Sequence, residues 1–296
     1  LVAAAQALGL SALALTDHDT LEGLAEFVEA CKGVPGLSCV PGVEIATSWY
    51  TTSLHIVGLW IDPSTAVLGD LLAGIREARA RRNREILGRL GQLGVPVTAA
   101  EVEAVADGAV VGRPHIARAM AEKGYCADIR SAFSEYLGRE KAAYVRRFLP
   151  MPEQAIGVIH AAGGVAVWAH PGGGYDVQPA RLRQTGRALR DLGLDGIEAY
   201  YPGYSPRHQE NILAVAEELG LLLSGGSDYH GDNMPGIELG TGIDGDLSVP
   251  GRILEPLRRR AARYARSPVP ETEPKTKEAV AANHDPVRAT DAKQQE

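Results

Sequence analysis

The apolar positions of this chain fall into short runs separated by amphipathic stretches, and the rhythm changes partway along. Ser11–Leu15, Ser38–Val43 and Leu54–Ile61 are apolar runs of strand length, and Leu21–Cys31 between the first two has helical spacing. After residue 150 the alternation returns. Helix Glu153–Ala162 precedes strand Val165–Ala169, helix Ala180–Leu192 precedes Gly196–Ala199, and helix Pro206–Leu219 precedes Leu221–Ser224. Buried strands alternating with helices predict a parallel sheet under helical cover, open or closed into a barrel.

Between Asp62 and Pro150 no strand rhythm is visible. Leu68–Leu93 reads as one long arginine-rich helix, followed by shorter helices at Ala99–Ala106, Pro114–Lys123 and Asp128–Leu137. The expected organisation is a barrel in two parts, residues 1–62 and 151–264, with a helical cap inserted at 63–150. The Pro-, Glu-, Lys- and Ala-rich segment 265–296 lacks the large apolar residues needed to offset ordering entropy, and it is expected to be disordered. The chain opens on Leu1 in an alanine-rich helix, without an initiator Met or an opening strand, which reads as a start inside a longer product.

Composition narrows the picture only a little. The net charge of -7 argues against a generally basic, nucleic-acid-coating surface, so no stable DNA binding is expected, though it leaves room for a local basic patch. No run reaches the roughly 18 apolar residues of a membrane helix. Cys31, Cys39 and Cys126 are scattered and odd in number. They predict neither a disulfide framework nor a Cys-x-x-Cys zinc site, and they favour a reducing, cytoplasmic setting.

The informative polar residues cluster at strand ends. Asp17 and His18 follow the first strand, Glu44 ends the second, His170 ends Val165–Ala169, Glu198 lies near the end of its strand, and Asp228 and His230 follow Leu221–Ser224. In a parallel α/β barrel the C-terminal strand ends converge on one face, where active sites are built. His55 comes early in its strand and reaches that rim only if Leu54–Ile61 runs differently from its neighbours. Taken singly, each residue has a plainer reading as a turn residue or helix cap; Asp17 or Asp19, for example, could cap the helix at Leu21. Joint placement favours a site for borderline divalent ions such as zinc, manganese or iron. His160 reads as a structural residue at a helix C-terminus, and His208 as an exposed helical residue.

Thr16-Asp17-His18-Asp19-Thr20, Pro41-Gly42-Val43-Glu44-Ile45, Leu54-His55-Ile56-Val57-Gly58, Ala169-His170-Pro171-Gly172 and Gly226-Ser227-Asp228-Tyr229-His230 resemble, in order, successive motifs of the polymerase-and-histidinol-phosphatase (PHP) family. The resemblance covers roughly residues 1–250. It implies a distorted (β/α)7 TIM-like barrel whose site holds up to three divalent ions, manganese, iron or zinc. His18, Glu44, His55, His170, Asp228 and His230 are the implied ligands. His18, His170 and His230 are implied in catalysis with Asp17, which orients a ligand rather than binding metal. The family pattern opens with a His-x-His on a first strand, and no such motif occurs in this sequence; the fragment is therefore expected to be short of ligands.

Arg81-Arg82-Asn83-Arg84-Glu85 and Gly112-Arg113-Pro114-His115 resemble the cap of one branch, the 3',5'-nucleoside bisphosphate phosphatases and 5'-3' exoribonucleases. Arg82, Arg113 and His115 are the implied phosphate contacts, with helix-terminal N–H groups beside them. The implied activity is hydrolysis of nucleotide phosphate esters, or of short 5'-phosphorylated RNA, by a metal-activated hydroxide. Histidinol-phosphate phosphatase is an alternative, but its substrate offers no second anion to the cap arginines. A degenerate, non-catalytic module is another, and the ligands retained at every visible motif oppose it.

Overall fold

A computed structural model of the chain describes residues 1–50, 52–106, 110–173, 175–231 and 234–266. Helix α1 (Val2–Ala7) leads into strand β1 (Ala12–Leu15), and α2 (Leu24–Cys31) leads into β2 (Ser38–Trp49) and β3 (Thr52–Leu59). Then come the 27-residue α3 (Ala66–Gln92), α4 (Ala99–Ala106), α5 (Arg113–Glu122) and α6 (Ile129–Ala132), which runs into a π-helical turn at Phe133–Leu137. The second part follows as α7 (Pro152–Ala161), β4 (Val165–Trp168), α8 (Pro179–Asp191), β5 (Gly196–Tyr200), α9 (Pro206–Leu219), β6 (Leu222–Gly225) and α10 (Leu254–Arg266).

The six strands lie side by side in chain order. Pairs β1–β2, β4–β5 and β5–β6 are parallel, but β3 is antiparallel to both β2 and β4. This corrects the expectation of a uniformly parallel sheet. Only residues 50 and 51 separate β2 from β3. A connection that short can make a hairpin but not the crossover of a dozen or more residues that a parallel pair needs.

Both faces of the sheet are apolar, as strands covered on both sides require. On one face Val43, Ile45, Ile56, Ala166, Trp168 and Ile197 join residues of α2, α3, α7, α8 and α9 in the main core. On the other, Val40, Leu59, Val165 and Val167 meet Leu257 and Ala261 of α10. No sequence expectation covered α10 as a helix, and the expected tail boundary at 265 cuts into it; residues 267–296, the rest of the expected tail, lie outside the described residues.

A second core joins Ile86 and Leu90 of α3 to Val102, Ile116, Met120, Ala132, Leu137 and Ala143. The first half of α3, through Leu68, Leu72 and Ile75, belongs to the main core. One helix about 40 Å long therefore serves both, and its buried residues at the crossover are polar: Arg82 and Asn83.

Cys31 and Cys39 form a disulfide between the end of α2 and the start of β2, with Cα atoms 6.3 Å apart. The expectation of no disulfide is thus corrected. The turn after α2 folds the chain back beside the helix end, a proximity that residue spacing does not disclose. Cys126 is free. Among the described residues no helix is long and apolar enough to cross a membrane.

Candidate metal centre and cap cleft

The antiparallel course of β3 puts its first residues at the end of the sheet where the parallel strands finish. His55 pairs with Ala46, and the register Glu44↔Val57 sets His55 two residues from Glu44 on the same face. Backbone bridging of His18 to Glu44 extends the β1–β2 pair to the same rim. The chain approaches itself closely here: a Cβ on Gly42 would lie 2.7 Å from both the Gly58 carbonyl and Thr16 Cγ2, so the glycine in Pro41-Gly42-Val43-Glu44 has a packing reason.

Glu44 Oε1 is the hub. It lies 2.5 Å from His55 Nδ1, 3.1 Å from His170 Nε2 and 3.8 Å from His18 Nδ1. His55 Nδ1 and His170 Nε2 are themselves 3.2 Å apart. Ligand atoms of His18, Glu44 and His55 all fall within 4.8 Å of one another. The His230 ring sits 5.8 Å from that of His18. His230 Nδ1 lies 2.7 Å from the Asp228 carbonyl; donation there fixes the tautomer that leaves Nε2 with its lone pair. Tyr201 donates to Asp228 Oδ2 at 3.0 Å, and burial together with nearby carboxylates pushes its phenol far up, so it remains a neutral donor. Asp17 is exposed, and among the described residues its carboxylate makes no hydrogen bond to a ligand; only its backbone carbonyl contributes, accepting from Glu44 N at 3.1 Å.

The electrostatics are those of a cation site. Burial opposes the ionised form of Glu44, but the His170 and His55 bonds and the His18 charge outweigh it and hold the carboxyl well below its usual range. Burial pulls His170 down, and Glu44, Glu198 and Asp228 more than reverse this, to about 9. Burial pushes Glu198 up to about 8, and its Oε2 accepts the His170 N–H at 2.6 Å. Glu44, His55 and His170, with donor atoms 2.5 to 3.2 Å apart, and His18 beside them are a nitrogen-oxygen donor set that fits borderline divalent ions.

Two site residues adopt backbone that side chains rarely take: φ is 29° at His170 and 52° at Asp228. Strain of this kind persists only where surroundings enforce it. Beside His170 the Pro171 carbonyl is held by His208. This residue, expected to be exposed, is in fact buried and places Nε2 2.8 Å from the Pro171 carbonyl, which also accepts from Tyr204 at 3.2 Å. Val177 N donates to His208 Nδ1 at 3.4 Å, fixing the tautomer. The helical context of His208 predicted its backbone and concealed its loop contact.

The arginines of the helical segment have the opposite charge. Arg82 is buried, donates to Asn83 Oδ1 at 2.7 Å, and is pulled down to about 10 by burial and by Arg113, Arg147 and Arg79. Among the described residues no carboxylate pairs with Arg82 or Arg113. The Arg113 guanidinium lies over Phe133 and Tyr144, 5.6 and 5.5 Å from their centroids, and donates to the Leu137 carbonyl at 3.2 Å. Gly112 N donates to His115 Nδ1 at 3.1 Å, so in the neutral ring Nε2 carries the proton and is a donor. Burial and Arg118 hold His115 low. The expected helix-terminal anion site is slighter than foreseen: Arg113 and His115 lie inside the first turn of α5, Pro114 has no N–H, and the His115 N–H already donates to Gly112 O at 3.1 Å. Sequence reading gave Arg79 no role beyond the arginine-rich helix and did not single out Arg147; the two share Asp19 as counter-ion, and among the described residues their buried Nε atoms have no partner.

Fold and rim together define an α/β protein with a histidine-carboxylate cluster able to hold a metal ion and, joined to it through Asp19, an arginine-rich helical segment. A profile of the PHP domain matches residues 1–87. The chain is 38% identical over 229 residues to the 5'-3' exoribonuclease Rnm of Salmonella typhimurium, covering 77% of this chain and 78% of that one. It is 37% identical over 238 residues to the 3',5'-nucleoside bisphosphate phosphatase of Chromobacterium violaceum, covering 77% and 80%. Among solved structures, a Bifidobacterium adolescentis protein assigned as a metal-dependent phosphoesterase superposes with a TM-score of 0.71 at 32% identity, over 88% of this chain and 89% of that one. The chain belongs to the PHP family.

Proposed function

We propose that the protein is a metal-dependent phosphoesterase of nucleotides, cleaving a phosphate ester at the rim while the cap holds a second phosphate. The substrates of this reading are 3',5'-nucleoside bisphosphates, short 5'-phosphorylated RNA, or both. The observation that carries it is the adjacency of two unlike charge clusters: the Glu44-centred group of imidazoles, and four guanidiniums, Arg79, Arg82, Arg113 and Arg147, that have one shared carboxylate between them. The names of the relatives point the same way.

In this reading His18, Glu44, His55, His170, Asp228 and His230 hold divalent ions, up to three of manganese, iron or zinc. When bound, such ions supply positive charge to phosphoryl oxygens and acidify water to a pKa near 7. The chain does the rest. Tyr201 orients Asp228, the His230–Asp228 contact sets an imidazole tautomer, and His208 holds the loop that aims His170. Arg82 and Arg113, with His115 as a neutral donor, fix the remote phosphate. Asp17, lacking a bond to a ligand, contributes charge near His18 and His230. The six-stranded sheet, with ligands at one end of its concave face, is read as a distorted (β/α)7 barrel interrupted by a cap at 63–150.

The test is turnover of adenosine 3',5'-bisphosphate against adenosine 5'-monophosphate by the manganese-loaded enzyme. The expected result is a kcat/KM at least about 10-fold higher for the bisphosphate, with activity lost on chelation. Equal rates on both substrates would remove the assigned role of the cap.

A further inference from the structure

Asp19 is the residue after His18, and its carboxylate bridges the rim strand and the cap: Oδ1 accepts from Ala46 N at 3.4 Å. It is 1% exposed and adopts a left-handed backbone, φ 56°. Its Oδ2 accepts from Arg79 Nη2 at 2.5 Å and also from Arg147 Nη2. Its backbone carbonyl accepts from Arg76 Nη1 at 3.0 Å, and its N–H donates to the Glu44 carbonyl at 2.9 Å. Arg76 and Arg79 lie on α3, and Arg147 lies where the chain leaves the cap. One buried residue thus joins the His18 loop, the Glu44 strand, the long helix and the return from the cap. The bond to Glu44 passes through backbone alone, so exchanging the side chain leaves it in place.

We propose that Asp19 is a positioning residue that sets the cap arginines against the metal rim. The inference rests on the reading of the cap as the second-phosphate site. A carboxylate beside an anion site costs attraction to the anion, so it must contribute something else. What it contributes is order. Arg79 and Arg147 are long, partly buried side chains of like charge. Without a shared partner they would repel and turn toward solvent, losing the orientation that bidentate phosphate recognition requires. A buried charge-assisted pair whose partner is removed leaves the surviving charges uncompensated, which makes Asp19 hard to replace.

Three readouts test this in the manganese-loaded enzyme. Asp19→Asn keeps the size and removes the charge. It is expected to raise KM for adenosine 3',5'-bisphosphate by about 10- to 100-fold, the range for losing one or two charge-assisted bonds, while kcat stays within about threefold. Nitrophenyl phosphate, with no second phosphate, should lose no more than about threefold in kcat/KM. A residue that merely supported the fold would depress both substrates alike, and that equal loss would overturn the proposal. So would a fall in KM, which would make Asp19 a competitor of the phosphate. Adding Arg147→Gln to Asp19→Asn should cost less than about twofold further, since the two changes break one interaction; full additivity contradicts the latch. The third readout needs no substrate. Amide hydrogen exchange at residues 76–82 and 143–148 should quicken in Asp19→Asn, and unchanged exchange there overturns the inference. If the parent enzyme leaves the bisphosphate uncleaved, the proposed function is what fails, and hydrogen exchange alone then decides whether the latch exists.

Discussion

The histidine-carboxylate rim and the cap arginines bury charge in opposite senses. At the rim, Glu44, Glu198 and Asp228 surround imidazoles and drive His170 up to about 9. Among the cap arginines, only Arg79 and Arg147 pair with Asp19, Arg82 and Arg113 have no carboxylate partner among the described residues, and Arg82 is driven down to about 10. The first arrangement is short of positive charge and the second of negative charge. Each imbalance names the ligand that would relieve it, a divalent cation in one case and a phosphate in the other. The reading of a bisphosphate substrate rests on that contrast, which neither cluster provides alone.

Breaking the rim should have the largest effect. His170→Ala or His230→Ala is expected to lower kcat at least about 100-fold on every substrate, since each removes a ligand from an ion that activates water. Loss of less than about 10-fold, a transition-state cost of about 1.4 kcal/mol, would exclude a ligand role. Breaking the cleft should be selective instead. Arg113→Ala is expected to reduce kcat/KM for the bisphosphate by about 10- to 150-fold, the worth of a charge-assisted bond of roughly 1.5–3 kcal/mol, but for nitrophenyl phosphate by only about threefold. An equal drop would assign Arg113 to holding the cap through Phe133, Tyr144 and Leu137 rather than to phosphate.

His208→Phe should fall between. It removes one of the two donors to the Pro171 carbonyl, so kcat should drop about 10-fold on both substrates, with metal content measured alongside to show displacement of His170. Unchanged kcat would mean that Tyr204 suffices. The smallest effect on activity belongs to the opposite end of the sheet. There buried Asp195 accepts from Arg260 at 2.5 Å and from Tyr264 at 2.8 Å, and lies 2.8 Å from His160 Nε2, which ties α10 down. Burial opposes its ionised form, but His160, Ala166 and Tyr264 together hold it below its ordinary value. Its ionic contribution to stability is therefore complete above about pH 4 and fades as pH falls through the lowered folded value. Asp195→Asn should cost about 1–3 kcal/mol at pH 7, less in acid, and leave kcat unchanged. A constant stability difference across that range would contradict the ionic role.

The strands and most helices were legible because apolar runs and helical spacing are local signals. The direction of β3 was not signalled by its own residues; it follows from the two-residue link after Trp49, and with it follows the placing of His55 at the rim. The histidines and carboxylates that meet at the rim could be picked out in sequence because they close recognisable short motifs. Asp19 lay inside one of those motifs and was passed over as a helix cap, because its partners Arg79 and Arg147 are 60 and 128 residues distant. Helix α10 was hidden by its many arginines, and the Cys31–Cys39 pair by an odd cysteine count.

The central claim is that one site takes a cation and the neighbouring cleft a phosphate. Isothermal titration with manganese and then with inorganic phosphate, in the parent, Glu44→Gln and Arg82→Ala, tests it without turnover. The account predicts that Glu44→Gln weakens manganese binding at least about 10-fold, while Arg82→Ala leaves manganese binding within about twofold and weakens phosphate binding to the manganese-loaded protein. If Arg82→Ala left phosphate binding unchanged, or Glu44→Gln left manganese binding unchanged, the two-cluster account would be contradicted.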